Sequence, residues 1–256
     1  MTEEQTKPGV TNVSIVIPVF NEAESVLSLL DEIRRLAKVF VPFEVIFIDD
    51  GSTDATLEKL RHYSRCNGSV EIRLLQHLHR AGQSAAIRTG VRAARGLRVV
   101  TLDGDGQNDP ADIPRLLAAA EIDKAVALVG GVRALRYDSL SKRFGSRVAN
   151  FVRQVLLQDG AVDSGCGIKL FRRDIFLELP YFGAMHRFLP ALFLMHGHRV
   201  VYIPVNHRPR RGGASKYVNW RRGMIGLLDL FGMLWLKYRT PVPLRVVELF
   251  GSEESK

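Results

Sequence analysis

Four short apolar runs, each separated from the next by a segment of helical length, constrain this fold most strongly. The runs are rich in β-branched residues and have the length of strands; they are residues 13–20, 43–48, 70–75 and 98–102. The segments between them have the apolar spacing of amphipathic helices; they are residues 23–40, 55–65 and 83–95. Strands that alternate with such helices form βαβ units. The sequence therefore predicts an α/β fold with a mostly parallel sheet that helices cover on both faces.

Polar residues cluster directly after three of these predicted strands, at 18–22, 49–54 and 103–107. Ligands of parallel α/β sheets bind beyond the carboxyl ends of the strands, so the three clusters predict one shared ligand site. The glycine pattern G-x-G-x-x-G does not follow the first strand, and the sequence has no Walker lysine motif. These two observations exclude the dinucleotide-binding and P-loop classes.

The third cluster contains two carboxylates on one side of the chain. Asp103 and Asp105 are two residues apart, where an extended backbone points both side chains the same way. Carboxylates this close repel each other unless a cation neutralises them, so a divalent metal is their natural partner. Gly104 leaves room for a ligand to approach the backbone. Asp109 is placed to cap a helix that Pro110 opens.

The acidic cluster alone leaves three alternatives to compare. The first is a plain polar turn between a strand and a helix. The second, an EF-hand calcium loop, fails on spacing, because Asn108 replaces the glycine at the sixth loop position and Pro114 the glutamate at the twelfth. The third, a phosphatase of the haloacid dehalogenase type, normally has its Asp-x-Asp at the end of the first strand. Other parts of the chain have to decide between them.

The charge balance favours an anionic partner. The 256 residues carry a formal net charge of +9, which favours nucleic acid, a phosphorylated substrate or a membrane surface. No aromatic platform or nucleic-acid motif accompanies this charge, so we expect no nucleic-acid partner. The two cysteines form no disulfide framework, which suits a reducing cytoplasm. No window reaches the roughly 18 apolar residues that a transmembrane helix needs.

The second half of the sequence is less regular and ends in a basic block followed by an apolar segment. Strands are predicted at 125–130, 168–171 and 199–205, and helices at 139–157 and 185–195. Residues 199–222 contain seven Lys or Arg and no Asp or Glu. Residues 223–236 are apolar, and Trp220, Tyr238 and cations flank them. This pattern is typical of a helix lying in the membrane interface; a core helix or a dimer helix is the alternative.

Five motifs follow one another along the chain: IPVFNE at 17–22, IDDGSTD at 48–54, LDGDGQNDP at 102–110, GVR at 131–133 and RRGGASK at 210–216. Together they resemble the inverting family 2 glycosyltransferases, and specifically the dolichol-phosphate mannosyltransferase-like branch of polyprenyl-phosphate sugar synthases. The last motif, R-x-x-G-x-S-K, is the narrowest and points to a polyprenyl phosphate acceptor.

The resemblance implies a domain organisation. A catalytic domain with the GT-A nucleotide-diphosphosugar transferase fold is expected over residues 1–217. Its nucleotide-sugar and metal half is expected at about 13–130 and its acceptor half at 131–217. An amphipathic membrane-associating helix and tail are expected over 218–256.

The resemblance also implies the roles of individual residues. The positions that hold the donor's base and ribose correspond to Pro18, Phe20, Glu22, Ile48 and Asp50, with Phe20 where many relatives have Tyr. The triplet that binds Mg²⁺ or Mn²⁺ corresponds to Asp103, Asp105 and Gln107, and Gly104 lies beside the donor. Arg133 corresponds to an arginine that faces donor phosphate or acceptor, and the segment that grips the acceptor phosphate contributes Arg210, Ser215 and Lys216. The catalytic residues implied are Asp105, Arg133, Arg210 and Lys216.

The expected chemistry is a single displacement at the anomeric carbon with inversion. A divalent ion would neutralise the diphosphate leaving group. A phosphate monoester, whose second pKa is about 6, is already a nucleophilic anion and needs no general base. We therefore expect a peripheral enzyme at the cytoplasmic face of the membrane that transfers a hexosyl unit to dolichyl or undecaprenyl phosphate. GDP-mannose is the favoured donor, and a UDP-sugar is left open.

Two other functions stay open. A family 2 transferase acting on a saccharide or protein hydroxyl would need a carboxylate base, for which Asp163 and Asp138 are the candidates. The other is a non-catalytic module that binds a nucleotide sugar or a membrane. His186, Arg187 and the loop 163–167 are candidates for selecting sugar or acceptor, with ordinary core and turn roles as the alternative. A homo-oligomer is also left open.

Overall fold

A seven-stranded sheet forms the centre of the fold. The computed structural model describes residues 12–37, 42–66, 70–133, 153–209 and 219–240, without the side chains of 64–66 and 219–224. Within these ranges the strand order is β3-β2-β1-β4-β6-β5-β7. The strands are β1 Val13–Val19, β2 Phe43–Asp49, β3 Glu71–Gln76, β4 Arg98–Thr101, β5 Val126–Arg133, β6 Lys169–Arg172 and β7 Arg199–Val205. β6 pairs antiparallel with β4 and β5, and the other pairings are parallel. The predicted mostly parallel α/β sheet is confirmed.

Helices cover both faces of this sheet. They are α1 Val26–Leu36, α2 Thr56–Cys66, α3 Gln83–Ala93, α4 Ile113–Ile122, α5 Arg173–Glu178, α6 Leu189–Met195 and α7 Asn219–Arg239. Short 3-10 turns, Pro110–Asp112 and Met185–Arg187, precede α4 and α6. Asp109 caps the first of these turns as predicted, since its Oδ1 accepts a hydrogen bond from the Ala111 N–H at 3.0 Å.

Two buried apolar layers hold the helices on the sheet. On one face, Ile33 of α1 and Leu116 of α4 share a cluster with Phe47 of β2. On the other face, Val91 of α3 shares a cluster with Phe171 of β6. Each large apolar side chain that is fully buried stabilises the fold by about 1.5–3 kcal/mol. The two layers thereby fix the strand ends at which the predicted polar clusters lie.

Two predicted helices differ from the observed ones. α1 begins at Val26 rather than at residue 23. The residues before it form a turn, in which the N–H groups of Glu22 and Ala23 donate to Thr56 Oγ1 (2.8 Å) and Asp54 Oδ2 (3.3 Å). The predicted helix 185–195 is divided into a 3-10 turn and α6, since Phe188 leaves helical geometry at φ −107° and ψ 7°. Most of the predicted helix 139–157 lies outside the described residues.

α7 has one apolar face against the core and another toward solvent. Met233 is buried in the cluster that contains Phe171. On the outer side, Phe231 is 67% exposed, Trp235 65% and Tyr238 90%. The predicted apolar helix is therefore present, and part of it does pack as a core helix. None of the helices in the described part of the chain is long and apolar enough to cross a membrane.

Candidate functional site

Two adjoining cavities open at the carboxyl ends of β1, β2 and β4. Cavity A has a volume of about 220 Å³, and cavity B about 430 Å³. Gln83 and Asp103 line both cavities. The residues of the predicted donor site that line cavity A are Pro18, Phe20, Glu22, Asp50, Asp103, Gly104 and Asp105. The three polar clusters thus meet at one edge of the sheet, as their positions after parallel strands predicted.

Hydrogen bonds join the loop after β1 to the loop after β2. Asn21 has a positive φ of 54°, which an asparagine tolerates better than most residues. Its N–H donates to Ser52 Oγ at 2.9 Å, and its Oδ1 accepts from the Thr53 N–H at 2.8 Å. Beside this junction, the Arg80 guanidinium carbon lies 4.1 Å from the centre of the Phe20 ring. This cation–π contact places a cation and an aromatic face together in cavity A.

Asp50 connects β2 to the start of α3. Its Oδ1 accepts a hydrogen bond from the Ala81 N–H, and its Oδ2 accepts one from the Gly82 N–H, each at 2.8 Å. Its Oδ1 also lies 2.8 Å from Nδ1 of His77, whose Nε2 lies 2.9 Å from Thr89 Oγ1 on α3. Asp50 therefore has a fixed orientation at the edge of cavity A. The sequence analysis did not identify His77.

Asp103 lies between the two cavities. Its N–H donates to Asn108 Oδ1 at 3.0 Å, and its Oδ1 accepts from Gln83 Nε2 at 2.8 Å. Burial and the neighbouring Asp105 carboxylate raise the pKa of Asp103 to about 6, although Lys169, Arg133 and the Gln83 hydrogen bond act in the opposite direction. The repulsion between the two carboxylates is the electrostatic situation that a bound cation relieves.

Asp103 and Asp105 fit a divalent metal, while Gln107, although adjacent to Asp105, is not among the residues that line cavity A. Both carboxylates line cavity A, and a site of oxygen ligands completed by waters and phosphate oxygens suits Mg²⁺ or Mn²⁺. The Gln107 N–H donates to Asp105 Oδ1 at 3.1 Å, and its Nε2 donates to the Arg208 carbonyl oxygen at 3.3 Å. Among the described residues, no three His, Cys, Asp or Glu side chains form a metal-binding group. Gln107 as a ligand stays a prediction that this arrangement does not support.

Ile48 is also placed away from cavity A. Its side chain is fully buried, in the apolar layer that contains Val91. The face of β2 on which it lies packs against α3: a methyl group at Gly90 would come within 2.6 Å of Ile48 Cδ1. The structure therefore does not bring the Ile48 side chain to the predicted donor site, because strand alternation turns it into the core.

An ion pair fixes Arg133 in cavity B. Arg133 Nε donates to Asp163 Oδ2 at 2.6 Å, and one terminal nitrogen donates to Asp163 Oδ1 at 2.7 Å. Such a two-point pair is strong and fixes the plane of the guanidinium. Asp163, a candidate general base, uses both oxygens in this contact. Asp138, the other candidate base, lies outside the described residues.

The predicted acceptor segment, residues 210–216, lies outside the described residues, and with it Arg210, Ser215 and Lys216. The described residues that lead to this segment lie beside the loop that contains Asp103 and Asp105. The Arg208 N–H donates to the Gln107 carbonyl oxygen at 2.9 Å, and the Arg208 side chain pairs with Glu32 at 2.5 Å and Asp109 at 2.6 Å. The chain thus reaches the edge of the Asp103–Asp105 loop two residues before the basic motif begins.

Several residues that line the cavities were assigned no role from the sequence. Gln83 begins α3, lines both cavities and donates a hydrogen bond to Asp103. The next residue, Ser84, has its Oγ 2.7 Å from Nδ1 of His186, which lines cavity B and was predicted as a candidate for selecting sugar or acceptor. Lys169 begins β6 and lines cavity B. The signal in the sequence is a lysine inside the apolar run 168–171, since a charged side chain is rarely buried without a partner.

The comparison with known families settles which class of protein has this site. The model of the family described as glycosyl transferase family 2 matches residues 14–179. The chain belongs to glycosyltransferase family 2. The matched range includes the Asp50 and Asp103–Asp105 clusters, Arg133 and Lys169, and it ends before the basic block.

Curated relatives of this glycosyltransferase align with most of the chain. The dodecaprenyl-phosphate galacturonate synthase of Rhizobium johnstonii is 34% identical over 244 residues, which cover 93% of this chain and 70% of the relative. The undecaprenyl-phosphate 4-deoxy-4-formamido-L-arabinose transferase of Klebsiella pneumoniae is 36% identical over 249 residues, covering 96% of this chain and 73% of the relative. These relatives are polyprenyl-phosphate sugar transferases, as the motifs predicted, and the sugars in their names are not mannose.

Solved structures confirm the GT-A fold. Glucosyl-3-phosphoglycerate synthase from Mycobacterium tuberculosis, in complex with Mn²⁺, UDP-glucose and glycerol 3-phosphate, superposes with a TM-score of 0.68 at 18% identity over 90% of this chain and 81% of that one. Its complex with Mg²⁺ and UDP gives a TM-score of 0.66 at 20% identity over 87% of this chain and 80% of that one. At this identity the likeness concerns the fold.

Proposed function

We propose that this glycosyltransferase moves a glycosyl unit from a nucleotide-diphosphate sugar to a polyprenyl phosphate, with inversion. The observation that carries the proposal is the junction of the two cavities at Asp103. On one side lies cavity A with two carboxylates, and on the other lies cavity B, to which Arg133, Lys169 and Arg187 contribute cations. A donor diphosphate with its metal suits the first environment, and a second anion suits the other.

The donor would bind in cavity A. Phe20 and Arg80 supply an aromatic face and a cation for the nucleotide, and Asp50 supplies an oriented carboxylate. Mg²⁺ or Mn²⁺, when bound to Asp103 and Asp105, would supply positive charge for the departing diphosphate. Gln83 orients Asp103 from α3.

A phosphate acceptor agrees better with cavity B than a hydroxyl acceptor does. An alcohol needs a general base, but both oxygens of Asp163 accept hydrogen bonds from Arg133. A phosphate monoester with a second pKa of about 6 needs no base at neutral pH. Arg133, held by Asp163, would orient that phosphate, and the predicted Arg210, Ser215 and Lys216 segment would complete its binding, since Arg208 brings the chain to this edge.

The names of the relatives favour a transferred sugar other than the mannose that the sequence led us to expect. The GDP-mannose preference rested on resemblance to the mannosyltransferase-like branch, and the relatives' names instead carry galacturonate and 4-deoxy-4-formamido-L-arabinose. We therefore propose a uronic acid or a modified pentose as the transferred unit, with mannose as the alternative to be tested.

We also propose that the protein acts peripherally on the cytoplasmic face of the membrane. The outer side of α7 exposes Leu228, Phe231, Trp235 and Tyr238, and an apolar helix face with aromatic residues suits the interface between water and lipid. A helix placed there would keep the enzyme near a lipid acceptor.

A donor panel tests the proposal. The purified protein would be incubated with Mg²⁺, farnesyl phosphate and, in separate reactions, UDP-galacturonate, UDP-galactose, a UDP-activated 4-amino-4-deoxyarabinose derivative and GDP-mannose, and products would be identified by mass. We expect a lipid-phosphate sugar from UDP-galacturonate or from the UDP-activated 4-amino-4-deoxyarabinose derivative, whereas a product from GDP-mannose alone would favour mannose as the transferred unit. Transfer to a saccharide hydroxyl, or donor binding without any product, would contradict the proposal and favour the corresponding alternative.

A further inference from the structure

Lys169 is a buried cation at cavity B whose ammonium group is only partly satisfied by the residues that the structure describes. Lys169 is only 4% exposed, yet it lines cavity B. Within the described residues, its ammonium donates one hydrogen bond, to the carbonyl oxygen of Cys166. An ammonium group has three N–H donors, so the residues that the structure describes leave two of them without an acceptor.

The sheet topology brings this lysine to the site. β6 runs antiparallel between β4 and β5, so its first residue lies at the edge where those two strands end. Lys169 pairs there with Thr101, two residues before Asp103, and with Gly130. Gly165 and Gly167 lie in the loop that leads to β6 and line the same cavity. A methyl group at Gly167 would overlap with the Asp103 carboxylate, and one at Gly165 would contact the Arg133 guanidinium, so the two glycines let these charged groups approach the loop that leads to Lys169.

The nearby carboxylates are engaged by other donors. Asp163 is paired with Arg133 through both oxygens, and Asp103 accepts from Gln83. Both carboxylates still attract Lys169 at longer range, while burial lowers its pKa. Burying a charge costs several kcal/mol unless hydrogen bonds and opposite charge compensate it. A single carbonyl oxygen compensates an ammonium only in part, which is expected of a group that completes its hydrogen bonds with a ligand.

We propose that Lys169 is an oxyanion-binding residue of cavity B, which donates hydrogen bonds to a phosphate or carboxylate oxygen of a bound substrate. An oxyanion suits the cavity better than a neutral group does, because Arg133 and Arg187 also line it and Asp103 is the one carboxylate among its lining residues in the described part of the chain. The source of the oxyanion rests on the proposed function: it is the acceptor's phosphate or the carboxylate of a uronic acid donor.

Binding calorimetry in the presence of Mg²⁺ tests this without any need for turnover. The probes are farnesyl phosphate and the pair UDP-galacturonate and UDP-galactose, which differ in the carboxylate. The variants are Lys169→Met, which keeps the length and apolar stem, Lys169→Arg, which keeps the charge, and Lys124→Met at an exposed lysine as the matched control.

We expect Lys169→Met to weaken one of the two interactions about tenfold or more, as the loss of a charge-assisted hydrogen bond does. Weaker farnesyl phosphate binding assigns Lys169 to the acceptor, and a lost preference for UDP-galacturonate over UDP-galactose assigns it to the donor sugar. UDP-galactose itself should bind within about threefold of the wild type, and Lys169→Arg should restore most of the loss.

Unchanged affinity of Lys169→Met for farnesyl phosphate and for both nucleotide sugars would overturn the inference. If Lys169→Met does not fold, the same comparison is made with Lys169→Gln, which is also uncharged. A different result would show that the proposed function is wrong while the inference about Lys169 holds. In that case the wild-type protein would form no product from any donor, but Lys169→Met would still bind one of the probes more weakly than the wild type. Intact turnover together with unchanged binding in both neutral variants would leave the proposed function standing without Lys169.

Discussion

Gly167 faces the carboxylate of Asp103 so closely that a methyl group on its α-carbon would overlap with Oδ2 of Asp103. The loop before β6 thus limits the position of a carboxylate in the loop that follows the neighbouring strand β4. Asp103 is held on its other side by Gln83. This contact from two sides keeps the carboxylate at the junction of the two cavities.

Gly167→Ala should therefore displace Asp103 and lower kcat about a hundredfold, which is typical when a group at a reacting centre moves by about 1 Å. The midpoint of thermal unfolding should fall only modestly, since overpacking costs about 1–3 kcal/mol. Gly183→Ala is the matched control, because nothing lies within 4 Å of a methyl group there. Full activity of Gly167→Ala would show that the position of Asp103 is not critical.

Asp105→Asn should abolish the metal response while leaving the fold intact. Asn keeps an oxygen that can accept the hydrogen bond from the Gln107 N–H, but it removes one of the two charges offered to the cation. We expect kcat to fall by about a hundredfold or more, as when one charge-stabilising group is lost. Mn²⁺ binding, followed by electron paramagnetic resonance in the presence of UDP, should weaken in parallel. Wild-type Mn²⁺ affinity in this variant would contradict the metal assignment.

His77→Phe should impair donor binding more than turnover. The substitution removes the contacts of the ring with Asp50 and Thr89 but leaves the Ala81 and Gly82 hydrogen bonds to Asp50. We expect the donor KM to rise about tenfold, corresponding to about 1.4 kcal/mol, with kcat within about threefold. His62→Phe on the exposed side of α2 is the control. Equal effects on both parameters would argue against a role confined to the nucleotide.

Glu44→Gln should destabilise the fold in a pH-dependent manner. Glu44 is fully buried at the opposite end of the sheet. Burial raises the pKa of Glu44. Hydrogen bonds from Ser14, from the Arg95 N–H and from Arg73 together lower it by more than burial raises it, so the pKa lies below its ordinary value of 4.5. The unfolded chain then binds the proton more readily, and the stability that ionised Glu44 contributes is present above pH 4.5 and decreases as the pH falls below it.

At pH 7 we expect Glu44→Gln to lower the free energy of unfolding by about 3 kcal/mol, since it leaves the buried pair incomplete. Urea unfolding at pH 7 and at pH 4 should show the difference from the wild type shrinking at the lower pH. Glu121→Gln, whose side chain is 66% exposed in its ion pair with Arg98, should change stability by less than about 1 kcal/mol. A difference that grows toward acid would contradict the lowered pKa.

Replacing Phe231 and Trp235 together by Ser should detach the protein from membranes. Both side chains are mostly exposed, so their loss should not disturb the core, whereas each would contribute about 1.5–3 kcal/mol if buried in lipid. We expect binding to phosphatidylglycerol vesicles, measured by co-sedimentation, to fall at least tenfold. If the wild type instead forms a dimer that the double variant loses, with no vesicle binding in either, the outer face of α7 is a dimer surface.

The order of strands and helices in the first half could be predicted because each element carries its own periodicity. The ligand edge could be predicted as well, because polar clusters follow β1, β2 and β4 directly in sequence. Asp50, Asp103 and Asp105 were found in this way. These inferences need only local patterns and the general rule for parallel sheets.

The other features depend on contacts between distant parts of the chain. Nothing in the apolar run of β6 indicates that it runs antiparallel between β4 and β5, so Lys169 was not expected at the site. Gln107 was assigned by motif alone, and its bond to Arg208, 101 residues away in sequence, could not be anticipated. Ile48 was also assigned by motif, although strand alternation would have turned its side chain away from Asp49 and toward the core.

Because β6 runs antiparallel to β4 and β5, the loop that precedes it contributes residues to cavity B that do not come from the strands around cavity A. Cavity A lies at the ends of strands whose spacing is fixed by the apolar layers. The loop 163–167 that shapes cavity B reaches the same edge from the other direction and contributes its own residues to the cavity wall. Gly167 of this loop is constrained by its contact with Asp103, but Ser164 and Cys166 line cavity B and not cavity A. Point changes at these two positions can alter what cavity B accepts without rebuilding the donor site.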